Sequence, residues 1–286
     1  MKTNSLKIRF LMSGLTLIIT LCLVFFSCQK EEITSINEPF DYEQIGIEHN
    51  KGLDFVFEYL KKEGVGKTSN LKSATNIFDL TKEATLSYAK TSEIFDGIDY
   101  DKLPLIYQDF DGNKLKSAGV DELATSIGSE IELSSSQTFF LNELDKAISN
   151  LEIGLQPTIE KIKEIELDIT NQCTQEESIV LLSSTSIARY ALEYWVNNYE
   201  DWLNELGGID ISAINKSGLK SANSSQSWLS ETLGAMGKSD VVGGAIGAGV
   251  GALAGGVGAA PGAVAGACYS SAGRGIVALL DHWEVW

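Results

Sequence analysis

The sequence predicts a mainly α protein: a helical bundle followed by a glycine-rich α-helical hairpin. Three observations predict it. Apolar residues recur at spacings of three and four along most of the chain. The 286 residues include only four prolines and show no strand-and-turn rhythm. Near the C-terminus, glycines recur at every fourth position through an uncharged stretch, which keeps them on one face of a helix.

The first 27 residues read as a signal peptide. Lys2, Lys7 and Arg9 precede an almost wholly apolar run from Phe10 to Phe26, and a small residue, Ser27, closes it. This pattern marks a secretory signal rather than a lasting membrane span. Cys28 directly follows the expected cleavage site, where a thiol can be acylated and turn a secreted protein into a lipid-anchored one. Phe25-Phe26-Ser27-Cys28 followed by Gln29-Lys30-Glu31-Glu32 resembles a Bacteroidota-type surface lipoprotein signal with its acidic export tag. That resemblance implies lipidation at Cys28 with chains such as palmitate, an outer-membrane location and display at the cell surface. Residues 28–40 then form an acidic tether.

From Asp41 the elements follow in order. Ile45, His49, Leu53, Val56, Phe57 and Leu60 form the stripe of an amphipathic helix that Gly64 and Gly66 end. Gly46-Ile47-Glu48-His49-Asn50 within it resembles a pattern near the start of uncharacterised lipoproteins of the same bacterial group, and implies no activity. Ile77, Leu80, Ala84 and Tyr88 mark a second helix. Residues 96–120 read as irregular, with one short helix near Leu105–Phe110. A helix is expected over 121–133, and another is capped by Ser135 or Ser136 and carries Phe140, Leu144, Ala147, Ile148 and Leu151. Pro157 suits the first turn of the next helix. Thr174 and Glu177 form a capping box ahead of the longest pattern, Ile179 to Leu206, closed by Gly207-Gly208. The helical domain therefore spans 41–206, with a linker over 207–226 and the hairpin region over 227–286.

Val241 to Gly273 contains no charged residue, and 11 glycines and 10 alanines make up most of it. Gly243, Gly247, Gly251 and Gly255 keep a four-residue step, and Gly258, Gly262 and Gly266 keep another, which Ser270 continues. Two helices are expected, about 241–256 and 261–280, with Ser239 or Asp240 capping the first. Each interior glycine costs roughly 0.8–1.0 kcal/mol against alanine. Only close backbone packing or membrane burial offsets several in phase. The segment from Val241 to about Gly275 resembles the glycine zippers of colicin V-type bacteriocins and of glycine-zipper outer-membrane proteins, which implies helix association in or at a membrane. Three uses follow: docking on the helical domain, insertion or self-association in a bilayer, or folding onto a partner. Trp283 and Trp286 suit either an interfacial anchor or a cover on the core.

No catalytic motif is legible. Removing the signal leaves 19 basic against 39 acidic residues, a net charge of −20, which excludes nucleic acid as a partner. Asp109, Asp111 and Asn113 begin like a calcium loop, but Lys114 and Val120 occupy the positions that need Gly and Glu. His49 and His282 are separate, so no metal or cofactor is expected. Cys173 and Cys268 either pair or stand as inert thiols. The aromatics Tyr190, Tyr194, Trp195, Tyr199 and Trp202 form a core seam or, less simply, a sugar or peptide groove. The expectation is a non-enzymatic, lipid-anchored envelope protein whose hairpin associates with helices or membrane. The alternatives are a surface-tethered, membrane-permeabilising antagonism factor and a glycan- or peptide-binding lipoprotein.

Overall fold

In a computed structural model, the described residues are 41–65, 74–107, 127, 131–151, 154–206, 222–253 and 258–282. They form seven α-helices: α1 (Tyr42–Lys62), α2 (Ala74–Ala89), α3 (Ser135–Ser149), α4 (Leu155–Gln172), α5 (Gln175–Leu206), α6 (Ala222–Leu253) and α7 (Ala259–His282). Short 3-10 turns lie at Glu93–Phe95 and Leu103–Tyr107, and the described residues include no strand. The mainly α class is what the sequence predicts. Cys28, Gly66, Asp109, Asp111, Asn113, Gly255, Trp283 and Trp286 lie outside the described residues.

Local chemistry explains several helix ends. Gly64 adopts φ 76°, a left-handed conformation that stops α1. Thr174 and Glu177 make the expected capping box: the Glu177 carboxylate accepts from Thr174 N–H at 3.0 Å, and Thr174 Oγ1 accepts from Glu177 N–H at 3.3 Å. At α3 the cap is Ser134 rather than Ser135 or Ser136. Its hydroxyl accepts from Gln137 N–H, and Gln137 Oε1 accepts from Ser134 N–H. Ser134 also donates to Glu177 at 2.7 Å, so a single carboxylate ties the starts of α3 and α5. This explains a second departure. Ile131 is already a bend, 132–134 carry no helix and Ser134 is extended, so a helix over 121–133 does not reach its expected end.

The larger departure is at the hairpin. Its first helix begins at Ala222, not near 241, so residues 222–226 belong to a helix instead of a linker. Ser239 and Asp240 are therefore mid-helix and fully buried, not caps. Their polarity resembles a cap in sequence because a cap needs the same side chains that a buried polar seam uses.

The described residues from Tyr42 onward belong to one compact unit, which includes the hairpin. α7 is its inner rod, packed against α6, α1, α2 and α5. α5 runs alongside, in contact with α6, α1, α4, α7 and α3. α1 thus bridges α5 and α7, whereas α3 and α4 also pack on α5. Trp195, Trp202, Phe95, Ile45, Leu53 and Leu60 are among the largest fully buried side chains. The aromatic helix is a core seam: Trp195 and Trp202 pack at 5.0 Å, and Tyr194 meets Trp195 edge-on at 5.6 Å. Cys173 and Cys268 are both free thiols, Cys268 buried and Cys173 only partly so.

Candidate functional site

The residues selected from sequence for helix packing converge in three tiers along α6 and α7. A Cβ on Gly243 would overlap the carbonyl oxygen of Gly266. One on Gly247 would overlap that of Gly262, and one on Gly251 that of Gly258. The relation is mutual: Gly262 and Gly266 meet the carbonyls of Gly247 and Gly243. The helices thus touch backbone to backbone, a distance that only glycine permits. Gly258 closes the hairpin with φ 83°, and its N–H donates to Gly251 O at 3.0 Å. Gly255 is the one member of the series outside the described residues.

A second set of glycines, not singled out from sequence, receives large side chains from the bundle. Ile187 seats on Gly244, Ile131 on Gly249, Phe78 on Gly273 and Trp195 on Gly275. The hairpin therefore has two kinds of bare face. One meets its own partner helix, and the other accepts knobs from α2, α5 and the segment before α3. The four-residue step reveals the first. The second has no simple period, because it depends on where neighbouring helices place bulky residues.

Ser239 and Asp240, expected as caps, instead join Ser270, Ser271 and Trp195 in a buried polar seam across the hairpin. Ser270 Oγ donates to Ser239 O at 2.8 Å and lies 2.9 Å from Ser239 Oγ. Trp195 Nε1–H is shared between Ser271 Oγ at 3.0 Å and Asp240 Oδ2 at 3.3 Å. Asp240 is fully buried, and its Oδ1 has no partner among the described residues. Burial pushes its carboxyl well above the usual range, against the opposing hydrogen bonds from Ser271 and Trp195. A raised folded value means stability is lost as pH rises from the ordinary carboxyl range through that raised value. Asp240→Asn is therefore expected to stabilise the fold at neutral pH by about 1–3 kcal/mol, and to give no gain near pH 4. Thermal melts across pH check this; equal gains at both pH values would refute it.

α1 is fitted to α5 by the motif noted in its first half. A Cβ on Gly46 would overlap the Tyr190 ring, and Asn50 Nδ2 donates to Tyr190 O at 3.1 Å. Arg189, nearly buried, pairs with Glu43 of α1 and with Glu166 of α4, the latter at 2.9 Å. Glu48 accepts from Tyr88 at 2.6 Å, Ser92 at 2.7 Å and Lys51 at 2.7 Å. Burial alone would raise Glu43 and Glu48, but these hydrogen bonds outweigh it and hold both below the usual carboxylate range. On the far side, Lys238 of α6 pairs with Asp145 of α3 at 3.1 Å.

Among the described residues, no group of three or more His, Cys, Asp or Glu is placed to hold a metal ion. A shallow groove between α3 and α4 is lined by Glu143, Lys146, Asn150, Pro157, Glu160 and Lys161. Its lysines pair with carboxylates one turn away, Lys146 with Glu143 at 2.6 Å and Lys161 with Glu164 at 2.9 Å. Among the described residues, no helix is long and apolar enough to cross a membrane.

Comparison with known proteins gives one match. Residues 203–280 fit a family of unknown function (DUF6861). That span takes in the last residues of α5, all of α6 and α7 to within two residues of its end. No curated protein and no solved structure matches the chain.

Proposed function

We propose that this chain is a non-enzymatic, lipid-anchored protein of the outer cell envelope, displayed outward, whose glycine-zipper hairpin works by helix association inside its own bundle. The observation that carries this is the three-tier contact of Gly243, Gly247 and Gly251 with Gly266, Gly262 and Gly258. In-phase glycines are costly in water, and this contact is what offsets them. The further glycines that hold Ile187, Phe78 and Trp195 support the same use, since they bind the hairpin to the rest of the fold. The anchor rests on the sequence around Cys28, and the excess of acidic residues suits a solvated, outward surface.

Protease shaving of intact cells tests it. The wild-type chain is expected to be envelope-bound, acylated and digested from outside. Cys28→Ser is expected to leave the membrane fraction and lose the acyl label. An unlabelled wild-type chain, or a Cys28→Ser chain that stays membrane-bound, would refute the anchor.

A second reading, the membrane-permeabilising factor, draws on a different observation: the described parts of the uncharged run, 241–253 and 258–273, pack against the amphipathic helices. It requires the hairpin to leave the bundle. Dye leakage from vesicles by the whole chain, abolished by Gly247→Leu with Gly251→Leu, would favour it; sealed vesicles would remove it.

A further inference from the structure

α1 covers the face of α7 at very short range. The Cys268 thiol donates to His49 O at 3.4 Å, and a Cβ on Gly52 would overlap the Cys268 sulfur. Ile45, Leu53, Val56 and Leu60 of α1 are fully buried where it packs on α5, α7 and α2. His49 sits among them, fully buried. Its protonation state follows from its neighbour. The bond from Asn50 Nδ2 to Tyr190 O orients the amide so that Oδ1, which can only accept, faces His49, and His49 Nδ1–H donates to it at 3.1 Å. Nε2 is then the bare nitrogen, and among the described residues it has no partner. A proton added there would place a charge and an unpaired donor in an apolar interface.

We propose that α1 is an acid-released cover of the glycine hairpin: protonation of His49, reinforced by that of Glu43 and Glu48, frees α1 from α5 and α7 while α6 and α7 stay closed on each other. Burial pushes His49 down to about 4 from its ordinary 6.5, with the Asn50 hydrogen bond opposing. The docked value lies below the released one, so released α1 binds the extra proton between those limits. The cover therefore weakens as pH falls from 6.5 to about 4, by up to roughly 300-fold in the release equilibrium. Glu43 and Glu48 act in the same direction lower down, because each is held below its ordinary value by bonds that protonation removes.

The groups facing α1 from its neighbours do not reverse this. From α5, Arg189 is held charged by Glu43 and Glu166, while burial raises Tyr190 and Tyr194 and keeps them neutral. Glu205 of α5 pairs with Lys61 at 3.5 Å. From α4, Glu166 faces Arg189, and Lys163 adds positive charge near Glu43. From α2, burial raises Tyr88, and Glu83 accepts from Tyr59 at 3.3 Å. From α7, burial raises the Cys268 thiol. On α1 itself, Asp54 opposes release, since burial and Glu58 raise it. Asp240 favours the closed hairpin in acid for the same reason. The proposal goes beyond the envelope-protein reading, and a soluble chain tests it without the lipid, so either can fail alone.

A chain from Gln29 with Cys28 absent and Cys173→Ser carries Cys268 as its single thiol. Its labelling by a dipyridyl disulfide, which reacts in acid, is read together with hydrogen exchange corrected for intrinsic rate. Between about pH 7.5 and about pH 4.5, Cys268 labelling is expected to rise roughly tenfold or more, with protection lost over 42–62 and kept in α5 and α6. His49→Leu, which binds no proton, is expected to cut that rise to about threefold or less. Three outcomes would overturn the proposal: Cys268 shielded throughout, loss of protection in α1, α5 and α6 together, or an undiminished response in His49→Leu. Should that variant not fold, the wild-type exchange pattern decides.

Discussion

Gly247→Leu combined with Gly251→Leu is expected to destabilise the chain by at least about 4 kcal/mol, a fall in Tm of roughly 8–16 °C for a domain of this size. The obstacle in each case is backbone. The new Cβ would collide with the carbonyl oxygens of Gly262 and Gly258, which cannot rotate aside as a side chain can. α6 and α7 would have to separate, and the seats for Phe78 and Trp195 on α7 would move with them. Gly234→Ala is the matched control. Its Cβ would lie 3.6 Å from Ile148 O, ordinary contact, so only the gain in helix propensity remains, about 1 kcal/mol of stabilisation. Thermal and denaturant melts of a chain starting at Gln29 measure both. A double-leucine chain that melts like wild type would mean the two glycine faces do not touch.

Trp195→Phe is expected to cost roughly 2–4 kcal/mol. The indole is fully buried, lies on Gly275 and shares its N–H between Asp240 and Ser271. Phenylalanine leaves space over Gly275 and strips a donor from a carboxyl already short of partners. The two losses separate in a double-mutant cycle. With Asp240→Asn, the cost of Trp195→Phe should shrink by about 1 kcal/mol or more, because no buried carboxyl is left waiting for the N–H. Strict additivity would show that Trp195 acts through packing alone.

Much of the fold was legible in sequence. The stripes of α1, α2 and α3 bury most of the residues that their spacing selected, with Phe57 and Leu80 partly covered, because one face of an amphipathic helix must leave water whatever it meets; in α5, Ile179, Leu182 and Tyr190 are only partly buried. The capping box at Thr174 and Glu177 was legible for a related reason: its bonds close within four residues. The misreadings share a cause as well. Ser239 and Asp240 looked like a cap, and residues 222–226 looked like a linker, because Ser, Asn and Gly favour both ends and loops. Their helix is held by what it lies against, including the Lys238 pair with Asp145 and the seam at Ser270 and Trp195. Those partners are far away in sequence.

The glycine hairpin divides along the same line. Its existence, its four-residue step and its bare face follow from the chain alone, since helical phase is a local property. Which surface fills that face is a question of three dimensions. The spacing of glycines is the same whether a helix meets its own hairpin partner, another copy or lipid. Only the tertiary arrangement pairs Gly247 with Gly262, lays Trp195 on Gly275 and brings α1 over Cys268. Contacts between distant segments depend on the whole set of competing burials, and no stretch of sequence records that by itself.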